Sequence, residues 1–161
     1  MTKEIQLTQG QVAIVDDWWF DELNQYKWYA LWSPKTRSFY AVRNSKPLLG
    51  KRTTILMHVV IARTKKGFNT DHINHDTLDN REENLRACTS SKNQMNAEKH
   101  SGNTSGYKGA SKSGRGWKAQ IMVNRKVYYL GIFGTPKEAA LAYDAAARRL
   151  HGEFACLNFP D

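Results

Sequence analysis

Residues 71–96 read DHINHDTLDNREENLRACTSSKNQMN, a run dense in side chains that bind metals or move protons. Asp71 offers a carboxylate and Asn93 an amide carbonyl. Both are hard oxygen donors suited to magnesium or manganese rather than zinc, and two protein ligands leave most coordination positions for water and a substrate phosphate. His72, with an ordinary imidazole pKa of about 6.5, can be neutral near physiological pH and accept a proton. His75 and Asp76 lie close by in sequence and are the rivals for that role. A loop also takes Asn, Asp and His simply because they tolerate turn geometry.

Such side chains need elements to hold them. Asp71 and His72 sit at the foot of an expected strand, a polar loop follows, and residues 85–87 can return as a second short strand. Thr89 or Ser90 can cap a helix running through Met95, which places Asn93 early in that helix. Adjacent strand residues normally face opposite ways, so the first strand must end or bend at Asp71-His72 if both are to serve one centre. Strand, loop, strand and helix in so few residues cannot make a hydrophobic unit alone. Upstream, MHVVIARTKKG is expected to form a short helix ending before Gly67 and packing on this segment, with His58 read as a packing or surface residue. His100 and His151 have no partner constellation.

Composition narrows the function classes. The chain has 161 residues, 40% hydrophobic, and a net charge of +9. No apolar run approaches the ~20 residues of a membrane span. The N-terminus lacks the long apolar region of a secretory signal. Cys88 and Cys156 are isolated, which indicates neither a zinc ribbon nor a disulfide framework. An intracellular, cytoplasmic protein is expected. The basic charge is uneven: residues 101–161 carry nine basic and four acidic side chains, and 108–126 carry six basic and no acidic ones. A basic, aromatic-bearing module beside an Asp-rich metal candidate points to a polyanionic partner.

Before residue 58 the pattern predicts a hairpin over 4–15 turning at Gly10, and a brief helix capped by Asp16-Asp17 that carries Trp18, Trp19, Phe20 and Leu23. Further strands are expected over 28–32, 38–43 and 53–57, with the aromatics forming a small mixed core. After residue 100, strands are expected over 107–111, 116–123 and 126–133. Thr135-Pro136 and Glu138 then start a helix over 136–151, with a stripe of Ala139, Ala142, Tyr143, Ala146 and Leu150. In the middle strand Trp117, Ala119, Ile121 and Val123 point one way and Lys118, Gln120 and Met122 the other. One face buries and one is open to bind.

Two resemblances follow from these residues. Asp71-His72, Asn84 within Asn84-Leu85, and Asn93 resemble the motif of the HNH nucleases with a ββα-metal (His-Me finger) core, particularly phage and intron homing endonucleases. This implies a DNA endonuclease with one divalent metal, Mg2+ or Mn2+, on Asp71 and Asn93. His72 would activate the attacking water, and Asn84 would brace the loop. The last motif residue is Asn rather than His, as in the magnesium-type branch. The second resemblance rests on Gly106-Tyr107-Lys108-Gly109, Tyr129-Leu130-Gly131-Ile132-Phe133, Glu138-Ala139-Ala140, Ala142-Tyr143-Asp144-Ala145-Ala146 and Leu157-Asn158-Phe159-Pro160. These are similar to the plant APETALA/ethylene-response-factor (ERF) domain. That implies a three-stranded sheet in the major groove of double-stranded DNA, with matching DNA-facing positions at Lys108, Ser111, Lys112, Arg115, Lys118, Gln120, Met122, Arg125 and Tyr129. The plant pattern has Arg at 111 and 122, Glu at 120 and Trp at 129, so the departures imply a looser readout.

The expected fold is therefore α+β. Residues 1–57 form a small N-terminal β-rich region, 58–100 the nuclease core, 101–106 a linker, and 107–161 a three-stranded sheet plus helix. The expected protein is a monomer that nicks one strand, encoded by a phage or mobile element in a bacterial host. The alternative is a non-catalytic, sequence-specific DNA-binding regulator with a relic nuclease core.

Overall fold

Residues 1–48, 50–100 and 102–160 are described by a computed structural model. Helix and sheet are mixed, as expected of an α+β chain, and the strands form four small antiparallel sheets. Two compact units divide the chain, Met1–Cys88 and the stretch from Thr89 onward. No helix among the described residues is long and apolar enough to cross a membrane.

The first unit opens with the expected hairpin. Strands β1 (Thr2–Gln6) and β2 (Val12–Asp16) pair through a turn in which Gln9 and Gly10 are both left-handed. Ile5, Ala13 and Val15 alternate inward. Helix α1 (Asp17–Leu23) buries Trp19 and Leu23, four residues apart on one face. Trp18 stays exposed, as does Trp32, so only part of the aromatic cluster is core. The Asp16 side chain does not cap α1; it accepts a hydrogen bond from Glu82 N at 2.8 Å instead.

Strands β3 (Tyr29–Ser33), β4 (Ser38–Asn44) and β5 (Thr54–Leu56) form the second sheet in that order. Helix α2 (Met57–Ile61) is shorter than the sequence pattern suggests. Arg63 adopts a left-handed φ of 47°, which a continuing helix cannot accommodate. Met57 and Ile61 join Ile5, Val15, Trp19, Leu23, Trp28 and Ala41 in one hydrophobic cluster, against which Leu78 and Leu85 pack. Strands β6 (Asn69–His72) and β7 (Leu85–Cys88) complete the unit, joined by a polar loop and a 3-10 turn at Glu82–Asn84.

The second unit begins with helix α3 (Ser90–Asn96), capped by the Thr89 hydroxyl, which accepts from Lys92 N at 3.3 Å. In the segment read as a linker, Asn103 and Ser105 fold back on the backbone: Asn103 Nδ2 donates to Tyr107 O at 2.7 Å, and its Oδ1 accepts from Gly106 N at 2.8 Å. Strand β8 (Ala110–Ser113) starts three residues later than expected, because Gly106 and Gly109 turn the chain with left-handed φ values. Gly109 is also a point of close approach, since a Cβ there would meet the Tyr143 ring at 1.9 Å.

Strands β9 (Gly116–Val123) and β10 (Lys126–Phe133) run as expected, with β9 central. Helix α4 (Pro136–His151) starts in a capping box in which Thr135 Oγ1 accepts from Glu138 N and Glu138 Oε2 accepts from Thr135 N. Ala139, Tyr143 and Ala146 of the expected stripe are buried and Ala142 is half-buried, but the stripe widens to Ala140, Asp144, Ala147 and His151 while Leu150 is exposed. His151 Nε2 meets Met122 O at 3.0 Å, and burial is the main cause lowering its pKa. Asp144, fully buried, accepts from Asn158 N, Asn158 Nδ2 and Phe159 N. Asn158 Oδ1 in turn accepts from Lys108 N at 2.6 Å. The Tyr143-Asp144 and Asn158-Phe159 motifs are thus clips that hold the C-terminal segment and the Lys108 turn to α4.

Candidate active site and nucleic-acid face

β6 ends at His72, and this lets Asp71 and His72, both buried, serve one region. Asp71 pairs in register with Arg86 of β7, and His72 with Leu85. The register brings the Arg86 guanidinium to Asp71: Nε and Nη2 both lie 2.9 Å from Oδ2. The Nε hydrogen bond and the ion pair hold the guanidinium against Oδ2.

His72 is set by its neighbours. Its Nε2 lies 3.4 Å from Asn80 Oδ1, a long contact. Asn80 has no exposed surface, and its Nδ2 donates to Leu78 O at 3.0 Å, which orients the amide so that Oδ1 faces the imidazole. An amide oxygen beside Nε2 favours the tautomer that carries its proton there. Burial lowers the His72 pKa, opposed by the Asn80 hydrogen bond and the Asp71, Asp76 and Asp79 carboxylates.

The 73–81 loop is closed from within. Asn84 Oδ1 accepts from Asn74 N at 3.0 Å and its Nδ2 donates to Asp79 O at 2.7 Å, so one buried amide ties the two ends of the loop. Asp79 receives Asn74 Nδ2, Arg81 Nε and Arg81 Nη2 at 2.7–2.9 Å. Hydrogen bonding from the Arg81 side chain is the main cause holding its pKa below the ordinary value. Arg81 also pairs with Glu83. His75, left-handed at φ 66°, lies in the loop, and Asp76 caps it by accepting from Leu78 N at 3.0 Å.

Two aromatic rings flank His72 that sequence reasoning left out of the site. The His58 ring centroid is 5.0 Å from that of His72, edge to face, and Tyr40 lies 5.6 Å from His58 and 6.3 Å from His72. His58 is buried, and its pKa is pushed down to about 3, first by burial and then by the charge His72 would carry. His58 Nδ1 has no hydrogen-bond partner among the described residues. The signal for it was Met57-His58 at the start of a helix; Tyr40, beside Phe39 in an upstream strand, gave none.

Asp71, His72 and Asn84 are thus brought together in the first unit. Asn93 is carried by the second, early in α3, its backbone N–H bonded to Thr89 O at 2.9 Å. No cluster of three or more His, Cys, Asp or Glu side chains that could hold a metal occurs among the described residues.

Residues 56–95, which include His58, Asp71, His72, Asn80, Asn84 and Asn93, match the HNH endonuclease family. This segment is similar to HNH endonuclease domains. Over 137 residues the chain is 28% identical to an uncharacterized HNH endonuclease of Acanthamoeba polyphaga mimivirus, covering 84% of this chain and 68% of the relative. Its C-terminal region is similar to plant proteins. It is 49% identical over 59 residues to an ethylene-responsive transcription factor of Arabidopsis thaliana, covering 35% of this chain and 23% of the relative. It is 50% identical over 58 residues to dehydration-responsive element-binding protein 2D of the same plant, covering 34% of this chain and 28% of the relative. The chain therefore spans only about a quarter of these plant relatives. No solved structure matches it.

Beside the HNH segment, the ERF-like sheet sorts the expected DNA-facing residues. Ser111 pairs with Lys118, Gln120 with Tyr129, and Met122 with Val127, all on the face away from α4. Arg115 and Arg125 sit in the two exposed turns at the strand ends. Lys112 pairs with Trp117 on the other face and lies 4.8 Å over its ring. Lys108 is not on the open face either: its Nζ donates to Met95 O at 2.6 Å and Ala97 O at 2.5 Å, tying the end of α3 to the module.

Proposed function

We propose that this HNH chain is a divalent-metal-dependent endonuclease that hydrolyses phosphodiester bonds in double-stranded DNA, one strand at a time, directed by its ERF-like sheet. The observation that supports it best is His72, a buried imidazole kept neutral by its surroundings, oriented by Asn80 and adjacent to the Asp71 carboxylate.

In this reading, Asp71 and Asn93 would hold one Mg2+ or Mn2+. The donor set fits a hard cation, because a carboxylate and an amide carbonyl are both oxygen ligands. A metal ion so bound supplies Lewis-acid stabilisation of the charge that builds on the phosphate oxygens and the departing 3′ oxygen. His72 Nδ1 takes a proton from the water that attacks phosphorus in line. Asn80 holds the imidazole tautomer, Asn84 braces the loop beneath it, and His58 with Tyr40 packs against the ring.

The division of labour follows the sequence: 1–57 supports, 58–100 cuts, 101–106 links and 107–161 binds DNA. Binding falls to Ser111, Lys118, Gln120, Met122 and Tyr129 on the open face, with Arg115 and Arg125 at its ends, largely through phosphates. The sequence holds a single Asp-His…Asn…Asn constellation, which supports a monomer. The viral relative fits a mobile-element origin and an intracellular site of action.

The test is nicking of supercoiled plasmid with Mg2+ present. His72→Ala should lower the rate by about 10²–10⁴-fold, the usual worth of a general base, with DNA affinity nearly unchanged. Normal cutting by His72→Ala together with loss in His75→Ala would assign the base to His75, and no cutting by the native chain with any divalent metal would favour the regulator reading.

A further inference from the structure

The open face of the β8–β9–β10 sheet carries an apolar surface that phosphate binding does not use. Pairing aligns Ser111, Lys118 and Ile132 in one row, Gln120 and Tyr129 in the next, and Met122 and Val127 in a third. Side chains opposite one another across strands share a face, and Ala119 and Ile121 point the other way, where both are buried. Met122 is 53% exposed, Val127 56%, Ile132 57% and Tyr129 63%. A grouped apolar surface with a charged rim marks an interaction site.

Charge names the occupant. The rim is Arg115, Arg125 and Lys126, with no acidic residue anywhere from 108 to 126, so it complements a polyanion. The plant proteins that this region resembles include a transcription factor and a response-element-binding protein. Strands of such a sheet can lie in the major groove of duplex DNA.

Within that groove the base edges differ in what they offer. Thymine presents a C5-methyl for apolar contact, adenine presents N6 and N7 to a Gln or Asn amide, and guanine presents O6 and N7 to Arg or Lys. The rows contain three apolar side chains, one glutamine and a single cation, Lys118, and both arginines lie outside them in turns. We propose that this face reads A·T base pairs, with Met122, Val127 and Ile132 packing on thymine methyls and Gln120 bonding adenine. Lys118 and the turn arginines hold the backbone. The inference rests on the reading of this module as the DNA-targeting part of the chain.

The experiment uses the full chain with metal chelated, so that binding is measured without cutting. Selection from a random duplex library should return sites with an A·T-rich core. Each thymine in the selected core is then replaced by deoxyuridine, which removes only the methyl group. Affinity should fall by about fourfold at each contacted position, the worth of one buried methylene. Met122→Ser and Val127→Ser, at exposed positions, should abolish that sensitivity at their own bases while retaining salt-dependent binding. G·C-dominated sites, or affinity unchanged by every deoxyuridine, would overturn the proposal. Unchanged binding by the serine variants would likewise overturn it and assign the patch to a protein partner. Failure to bind any duplex would remove the targeting reading and this proposal with it. Selective binding by a chain that never cuts would remove only the nuclease reading.

Discussion

His58 allows a quantitative test of how the site is built, because its protonation is coupled to folding. Its pKa is pushed down to about 3 in the folded chain and returns to the ordinary value near 6.5 when the chain unfolds. The neutral form is the folded one, so the stability it contributes is complete above pH 6.5 and is lost as pH falls toward 3. Lowering the pH from 7.5 to 5 should therefore cost about 2 kcal/mol. His72, shifted in the same direction, adds to this. Asp79 does not interfere: its lowered pKa withdraws stability only as pH falls below the ordinary carboxylate value of 3.8, outside the window. With a urea dependence of about 2 kcal/mol per molar, the unfolding midpoint should move down by roughly 1 M. Tryptophan fluorescence is the apt readout, since Trp18, Trp19, Trp28 and Trp32 lie in the first unit and only Trp117 in the second. The His58→Gln chain should be less stable at pH 7.5 yet show a much shallower decline between pH 7.5 and 5. A decline as steep as that of the native chain would mean that His58 is not a buried neutral ring, and the packing described for the Tyr40–His58–His72 cluster would be wrong.

Two further outcomes are expected. Asn84→Ala removes the amide that bonds both Asn74 N and Asp79 O; leaving the buried Asp79 carbonyl unsatisfied should cost about 1–3 kcal/mol and slow nicking, while DNA affinity holds. A thermal melt and a rate measurement check it, and a variant as stable and active as the native chain would show that the loop closes without it. On supercoiled plasmid, open circles should accumulate before any linear product, because one Asp-His…Asn…Asn constellation attacks one strand per docking; immediate linear product, with activity rising as the square of protein concentration, would indicate a dimer.

The sequence was most informative where one local rule dominates. The hairpin at Gly10, the capping box at Thr135 and the strand limits of β9 and β10 each follow from alternation or end chemistry over a few residues, and the structure repeats them. It was less informative where a left-handed residue overrides the pattern. Arg63 ends α2 early, and the turn at Gly106–Gly109 delays β8. The buried stripe of α4 is wider than apolar residues alone predict, because it also takes in Asp144, which accepts from Asn158 N, and His151, whose Nε2 meets Met122 O. The neighbours of His72 were the hardest to read. Asn80 lies in the polar loop after His72, but nothing local says that its amide meets the imidazole. Tyr40 and His58 reach the ring only through tertiary packing.

That packing explains why so small a site occupies so large a unit. A two-stranded ribbon such as β6–β7 is at best marginally stable in water, and the loop it carries is almost entirely polar. The first 61 residues supply the missing core, with Ile5, Val15, Trp19, Leu23, Trp28, Met57 and Ile61 receiving Leu78 and Leu85 from the site segment. They also hold the loop directly by hydrogen bonds. Ile14 N donates to Leu78 O and Ile14 O accepts from Asn80 N, at 2.9 and 2.8 Å. Thr77 Oγ1 donates to Phe39 O at 2.5 Å, and Trp19 Nε1 donates to Glu82 Oε1 at 2.7 Å. Asn80, whose amide orients His72, is thus anchored through its own backbone to β2. The aromatic-rich N-terminal region is therefore the part that holds the imidazole's partner in place. A change at Ile14 or Trp19, remote from Asp71 in sequence and bearing no reactive group, acts on the site through that one chain of contacts.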